Sequence, residues 1–196
     1  AGSLALGWML LVNPRVAMQG TEMGVLGAGY GAAQAAILGG GWVPAGWGGV
    51  QLFVGLALVK MLATAATVGS GGSAGDFGPS VAIGGMLGGA FGRAAQLLFP
   101  AAHIDPGAFA LVGMGTFYGG IAHAPVSSLV MVCEMTGSYD LLVPLMAAGG
   151  VAFVALRGHG LYRSQLRNRF DATAQLDAMG YDLLRARTVG DALAEA

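Results

Sequence analysis

Charge is scarce in this chain. Lys and Arg number 9 and Asp and Glu number 10 among 196 residues, a charged fraction of 10%, where an ordinary soluble domain carries about 25%. The formal net charge of −1 leaves no basic patch, and no basic stretch is interleaved with aromatics, so nucleic acid is not an expected partner. Cysteine occurs once. Cys133 therefore cannot form an intrachain disulfide, and its place in an apolar run marks it as a packing residue. No basic segment precedes the first apolar run, so no cleavable signal peptide is expected. The chain opens already apolar and without an initiator Met, as a fragment would. No Gly-Lys-Ser/Thr follows its glycine-rich stretch, which excludes a nucleotide P-loop. No Ser-His or paired-Asp arrangement stands in the apolar segments, so an enzyme is not expected.

Apolar residues and glycine are abundant. The chain is 55% hydrophobic and holds 36 glycines, with a mean hydropathy of +0.68. There is no Gly-X-Y period, which excludes collagen. Glycine and alanine let helices approach closely where water cannot drive their association. The expected fold is an all-α, polytopic membrane protein. Its charges are uneven: Arg15, Glu22, Lys60, Asp76, Arg93, Asp105, Glu134 and Asp140 are the only ones before Arg157. A membrane body is thus followed by a polar tail.

The apolar segments are short and broken. Residues 1–12 are too few to span and stop at Asn13-Pro14-Arg15. Tyr30 to Leu38 reads as a partial-depth helix ended by three glycines. Trp42 to Gly48 is a loop whose tryptophans suit a membrane interface. Gly49 to Val68 is a spanning candidate with one charge, Lys60, and Phe77 to Phe99 follows as a long helix. In the latter, Gly84-Gly85, Gly88-Gly89 and Gly92 recur at four-residue spacing and predict one smooth face for close packing. Arg93 is expected to reach the interface. Gly107 to Ile121 reads as a helix interrupted at Gly119-Gly120, and Pro125 restarts the chain up to Thr136. His123 reads as a turn residue at that junction. Glu134, an ionisable residue in an apolar segment, is a functional-site candidate; the favoured reading is a hydrogen bond to free backbone at the Thr136-Gly137 break. Tyr139 to Leu156 is another span candidate, and Leu161 to Phe170 a final short helix. Arg157, Arg163, Arg167 and Arg169 place this end in the cytoplasm by the positive-inside rule. Helices broken in this way put their charged ends inside the membrane, as transporters and channels do.

One stretch carries the chemistry. Gly69 to Asp76 brings four glycines and two serines, and Phe77-Gly78-Pro79-Ser80 opens the long helix. Proline suits a helix start because its missing N–H was an orphan there. Glycine lets the backbone approach a ligand. The helix end offers free N–H donors and a partial positive charge to an anion. A glycine-rich turn that binds nothing fits the same letters.

These residues resemble the CLC chloride channels and transporters. Gly75-Asp76-Phe77-Gly78-Pro79 is similar to that family's Gly-x-Phe-x-Pro anion motif. Ile83-Gly84-Gly85-Met86-Leu87-Gly88, Gly113-Met114-Gly115, Ala124-Pro125, the run Val130 to Gly137 and Leu142 to Met146 follow in the family's order. Gly29-Tyr30-Gly31 and Leu58 to Ala63 match its layout as well. The resemblance covers nearly the whole chain. It implies the second of two inverted halves, built from broken, tilted and partial-depth helices over 1–170, with a cytoplasmic linker at 171–187. Leu184 to Leu193 resembles the opening of a CBS domain, which implies a truncated module at 188–196 and a nucleotide as partner of the missing part.

The resemblance implies a chloride site made by the backbone N–H groups of Asp76 and Phe77 and by the hydroxyl of Tyr162. Gly75 and Gly78 would admit the backbone, and Pro79 would start the helix. Asp76 departs from the family, which often has an apolar residue there; its side chain is expected to point away. The first-half Gly-Ser-Gly-x-Pro and gating Gly-Arg/Lys-Glu-Gly-Pro segments do not occur in this chain. The implied function is chloride transport in the cell membrane by a homodimer within a lipid bilayer, coupled to protons. No cofactor or metal is implied beyond chloride as the transported ion. A passive voltage-gated chloride channel, or a secondary transporter of another anion outside the family, is the alternative.

Overall fold

A computed structural model of the chain describes residues 28–41, 43–72 and 75–162. Two compact units divide it, Ala1–His159 and Gly160–Ala196, and of the second only Gly160–Tyr162 is described. The expected apolar segment at 1–12, the helix after Tyr162, the linker and the CBS-like tail lie outside the described residues. Among the described residues every regular element is helical: α1 (Tyr30–Leu38), α2 (Trp47–Gly69), α3 (Phe77–Leu98), α4 (Pro106–Ile121), α5 (Pro125–Thr136) and α6 (Leu142–Ala155), with a 3-10 turn at Pro100–Ala102.

Their lengths follow from where glycine, proline and turn chemistry stop them. At about 1.5 Å per residue, α2 and α3 reach the roughly 30 Å of a hydrocarbon core, and the others do not. Gly39, at φ 67, ends α1 by donating its N–H to the Ala35 carbonyl at 3.1 Å. A buried alanine face, Ala32, Ala33, Ala35 and Ala36, seats this short helix against its neighbours. The span expected from Tyr139 to Leu156 is shorter, Leu142–Ala155. Ser138 turns the chain before it, its Oγ donating to Asp140 Oδ2 at 2.9 Å and accepting the Asp140 N–H at 3.3 Å.

Helix α2 has two unlike faces. Gly49, Phe53, Leu56, Ala57 and Lys60 are buried at helical spacing, while Val54, Leu58 and Leu62 are exposed. Lys60 is only 4% exposed, so the lone charge of the span points into protein, with its aliphatic end against Gly29.

Helix α3 is the centre. Its glycines form two ridges rather than one face. Gly84, Gly88 and Gly92 meet α4, where a Cβ on Gly84 would lie 2.7 Å from Phe117 Cβ, and one on Gly92 2.8 Å from Pro106 Cα. Gly85 and Gly89 lie against Ala33 and Ala36 of α1 as well as Met114 and Ala110 of α4. Helices α3 and α4 therefore run antiparallel with backbones in contact, the close approach that small residues permit in membranes. Aromatic pairs close both ends of the seam: Phe77–Tyr118, with ring centroids 4.9 Å apart, and Phe91–Phe109 at 5.7 Å.

Helix α4 starts on Pro106, capped by Asp105, whose Oδ1 accepts the Gly107 N–H at 2.9 Å. It does not break at Gly119-Gly120. Those glycines serve close approach: a Cβ on Gly120 would lie 2.8 Å from Leu156 Cδ1, and Gly119 faces Ser128. The end comes at His123, at φ 53, with the Ala124 N–H reaching back to the Gly119 carbonyl at 3.1 Å. This is a Schellman turn with histidine where glycine usually stands. Its Nε2 lies 3.1 Å from the Leu156 carbonyl, which ties the corner to the end of α6. His123 is the turn residue the sequence suggested.

Two cores result. One packs Phe53, Leu56, Ile83, Met86 and the alanines of α1. The other joins Val81, Met114, Val132, Cys133 and Leu145 across α3 to α6, and holds Cys133 as packing. Exposed Val126, Val130, Val143, Met146, Val151 and Val154 give α5 and α6 apolar outer faces.

Candidate anion-binding site

The glycine-rich stretch divides in two. Its first part ends α2. Gly71, at φ 82, donates to the Val68 carbonyl at 3.0 Å, and Gly72 donates to the Thr67 carbonyl at 3.1 Å. This is a complete Schellman cap, so Gly69 to Gly72 satisfy helix carbonyls and do not cradle a ligand. Ser73 and Ala74 lie outside the described residues.

The second part starts α3. Asp76 already has helical angles, φ −79 and ψ −15, and its side chain makes no capping hydrogen bond. Its carbonyl accepts the Ser80 N–H at 3.1 Å and the Ser80 hydroxyl at 2.6 Å. The N–H groups of Phe77 and Gly78 belong to the first turn, where a helix has no carbonyl of its own to offer them. Pro79 follows and has no N–H to leave over. A helix of this length carries about half a positive charge at such an end. The start of α3 thus presents neutral donors and a positive dipole, with its one carboxylate left out of the capping geometry.

The two glycines differ. A Cβ on Gly75 would meet nothing within 4 Å, so no steric need fixes glycine there. One on Gly78 would lie 3.2 Å from Ala28 Cβ and 3.4 Å from the Tyr30 hydroxyl. Gly78 lets the chain before α1 pass directly over α3. Tyr30 thereby brings a phenol to this helix start, which no spacing in the sequence foretold. On the other side the Phe77 ring meets Tyr118 of α4 at 86°. Tyr118 reads in sequence as one more apolar helix residue, and only the antiparallel register of α3 and α4 reveals it. Tyr162 belongs to the second compact unit, and its place at an anion site rests on the family resemblance.

Other charged candidates have local roles. The Glu134 Oε1 accepts the Tyr139 hydroxyl at 2.6 Å, rather than bonding free backbone. The break there is closed by Gly137, at φ 64, and by the Thr136 hydroxyl on the Val132 carbonyl at 3.0 Å. Its hydrogen bond to Glu134, and then the nearby negative charge, hold Tyr139 above the usual phenol range. Arg93 is half-buried near the end of α3. Its guanidinium carbon lies 5.3 Å from the Phe53 ring centroid, and its Nε is buried without a hydrogen-bond partner.

Known proteins resemble this chain over most of its length. A family model described as voltage gated chloride channel matches residues 1–157. The chain is 38% identical over 122 residues to the H(+)/Cl(-) exchange transporter ClcA of Vibrio campbellii, covering 61% of this chain and 25% of that protein. It is 39% identical over 120 residues to ClcA of Vibrio cholerae, covering 60% and 25%. With ClcA of Klebsiella pneumoniae it shares 38% over 136 residues, 67% of this chain and 29% of that protein. The chain spans about a quarter of the length of these curated relatives. A match over most of its residues, together with an all-helical body of broken apolar helices, makes this chain a member of the CLC family of membrane proteins.

Proposed function

We propose that the protein moves chloride across the cell membrane in exchange for protons, and that the start of α3 forms part of its anion site. The observation that carries this reading is the uncapped first turn of α3, where the family resemblance assigns the donors to the backbone N–H groups of Asp76 and Phe77. Neutral N–H groups suit a transported ion, because binding must be strong enough to admit chloride and weak enough to release it. A lysine or arginine in contact would hold it too firmly. Pro79 sets the helix start, Gly78 admits the crossing backbone, and Gly75 leaves the approach open. The family resemblance assigns a further donor to the Tyr162 hydroxyl. The names of the relatives, exchange transporters for protons and chloride, support coupling over passive flow. The protein acts as a transporter, not as an enzyme, and chloride is its cargo rather than a cofactor.

The same reading assigns the rest of the chain. Residues 1–170 are the second half of a membrane domain that functions as a homodimer. Arg157, Arg163, Arg167 and Arg169 keep the following linker, 171–187, in the cytoplasm, and 188–196 open a CBS-like module that takes a nucleotide.

The test is flux from liposomes holding the full-length protein, with chloride efflux and internal pH recorded together. Chloride moving down its gradient while protons are driven uphill is the expected result. Chloride flux without proton movement would make the protein a channel. Absence of chloride flux from folded protein would overturn the assignment.

A further inference from the structure

We infer that Tyr118 is a positioning residue for the anion site, its ring aiming the first turn of α3 through Phe77. This rests on the proposal that chloride binds at that turn. The need for such a residue follows from what the helix start lacks. Most helices fix their first turn locally, with a side chain bonding its N–H groups. Here Asp76 makes no such bond. That leaves the donors for a ligand, but it also leaves the N–H side of the turn without its usual local restraint, since the bonds from the Ser80 N–H and hydroxyl go to the Asp76 carbonyl. The restraint must come from neighbouring elements.

Two contacts supply it. On the Gly78 side, Ala28 and Tyr30 lie close over the backbone. On the Phe77 side, Tyr118 meets the ring nearly at right angles, 86°, with centroids 4.9 Å apart. That is the favoured edge-to-face arrangement. Phe77 is the first residue of α3, so its ring and one of the proposed donors share a single Cα. Tyr118 has a firm base. It sits on α4, whose backbone touches α3 at Gly84, Gly88 and Gly113. Both rings also rest on the core of Val81, Met114, Val132, Cys133 and Leu145. With its ring held against Tyr118, Phe77 has less room for its backbone to tilt, and the direction of its N–H is held with it.

The second aromatic pair of the same seam provides the control. Phe91 and Phe109 join α3 and α4 at 5.7 Å near the opposite end of α3. Losing that pair weakens the same helix contact without touching the anion turn.

The experiment measures chloride affinity by calorimetry on full-length protein in detergent, with thermal unfolding recorded for each variant. Tyr118→Leu removes the ring and is expected to weaken chloride binding by about fivefold, the loss that an edge-to-face pair typically represents. Tyr118→Phe keeps the ring and should restore wild-type affinity. Phe91→Leu should leave affinity unchanged even where it lowers the melting temperature. If Tyr118→Leu does not fold, Tyr118→Met fills the space with a flexible chain and carries the same expectation. Wild-type affinity in the Leu or Met variant would overturn the inference. So would an equal loss in Phe91→Leu, which would point to general seam stability, or an equal loss in Tyr118→Phe, which would point to the hydroxyl. Wild-type protein that binds no chloride would instead refute the underlying site assignment.

Discussion

Gly113→Ala and Gly55→Ala are the same substitution in two apolar helices, and the packing assigns them opposite signs. A methyl on Gly113 would lie 2.9 Å from Gly88 Cα and 3.1 Å from Gly88 N, and would also press on the Gly84 carbonyl. Carbon atoms rest at about 3.5 to 4.0 Å, so the two helices would have to part by roughly 0.5 to 1 Å. These three contacts are all with backbone atoms, so no rotamer change can relieve them. Overpacking of this kind costs about 1 to 3 kcal/mol. Alanine returns up to about 1 kcal/mol through its better helix propensity. The net loss expected for Gly113→Ala is then about 1 to 2 kcal/mol. At Gly55 on α2 a methyl would meet nothing within 4 Å, so only the propensity gain remains, up to about 1 kcal/mol of stabilisation. Unfolding of the full-length protein in detergent, by heat or by titration with sodium dodecyl sulfate, reads both. A Gly113→Ala protein as stable as wild type would refute the backbone-to-backbone seam. Equal destabilisation by Gly55→Ala would show that the open space on α2 is occupied.

Other predictions concern single side chains. Asp76→Ala should retain chloride binding, at wild-type affinity or a few-fold tighter, because a nearby negative charge is removed from solvent-screened surroundings; complete loss by calorimetry would show a role for the carboxylate. Tyr139 should ionise above the usual phenol value of about 10, so the tie to Glu134 is intact below that pH and is lost as pH rises through the raised value; ultraviolet titration of Glu134→Gln should show one tyrosine returning toward the usual value, and no change would break the assignment. Arg93→Met should be neutral within about 1 kcal/mol. The cation–π contact with Phe53 and the favourable charge near the end of α1 are worth about 1 to 2 kcal/mol together, and the unpartnered buried Nε costs a similar amount. A melting shift equivalent to more than about 2 kcal/mol would contradict that balance.

Helix breaks were the most legible feature of the sequence. Three glycines after Leu38 and a proline at 125 stop and restart the chain where expected, because each acts through its own backbone. The double glycine at 119 and 120 misled because glycine has a second use. It opens a surface for Ser128 and Leu156 as readily as it bends a helix, and local sequence does not tell these apart. For the same reason Gly69 to Gly72 looked like part of an anion cradle, whereas their hydrogen bonds end α2. Arg93 was expected at the interface because a charge near a helix end usually snorkels; the half-buried side chain also covers the Phe53 ring, a contact no local spacing announces. Within the candidate site, Asp76, Phe77 and Pro79 were readable as a helix start. The contributions of Tyr30 and Tyr118 come from residues 47 and 41 positions away from Phe77 in sequence, and depend on how α1, α3 and α4 pack.

The burial of Lys60 has a consequence for how the chain is assembled. The residue stands past the middle of α2, among Phe53, Leu56 and Ala57 on the inward face. A lysine at the centre of a lone helix costs about 2.5 to 3.5 kcal/mol on entering lipid, which the remaining apolar residues of α2 outweigh. The helix can therefore leave the translocon alone, but it does so with its charge facing hydrocarbon. In the folded chain the Lys60 stem lies against Gly29, beside Ala82 of α3, so the charge ends inside protein. The charge thus acts as a rotational key during biogenesis. It penalises orientations of α2 about its own axis that turn Lys60 toward lipid, and favours those that turn it into the protein.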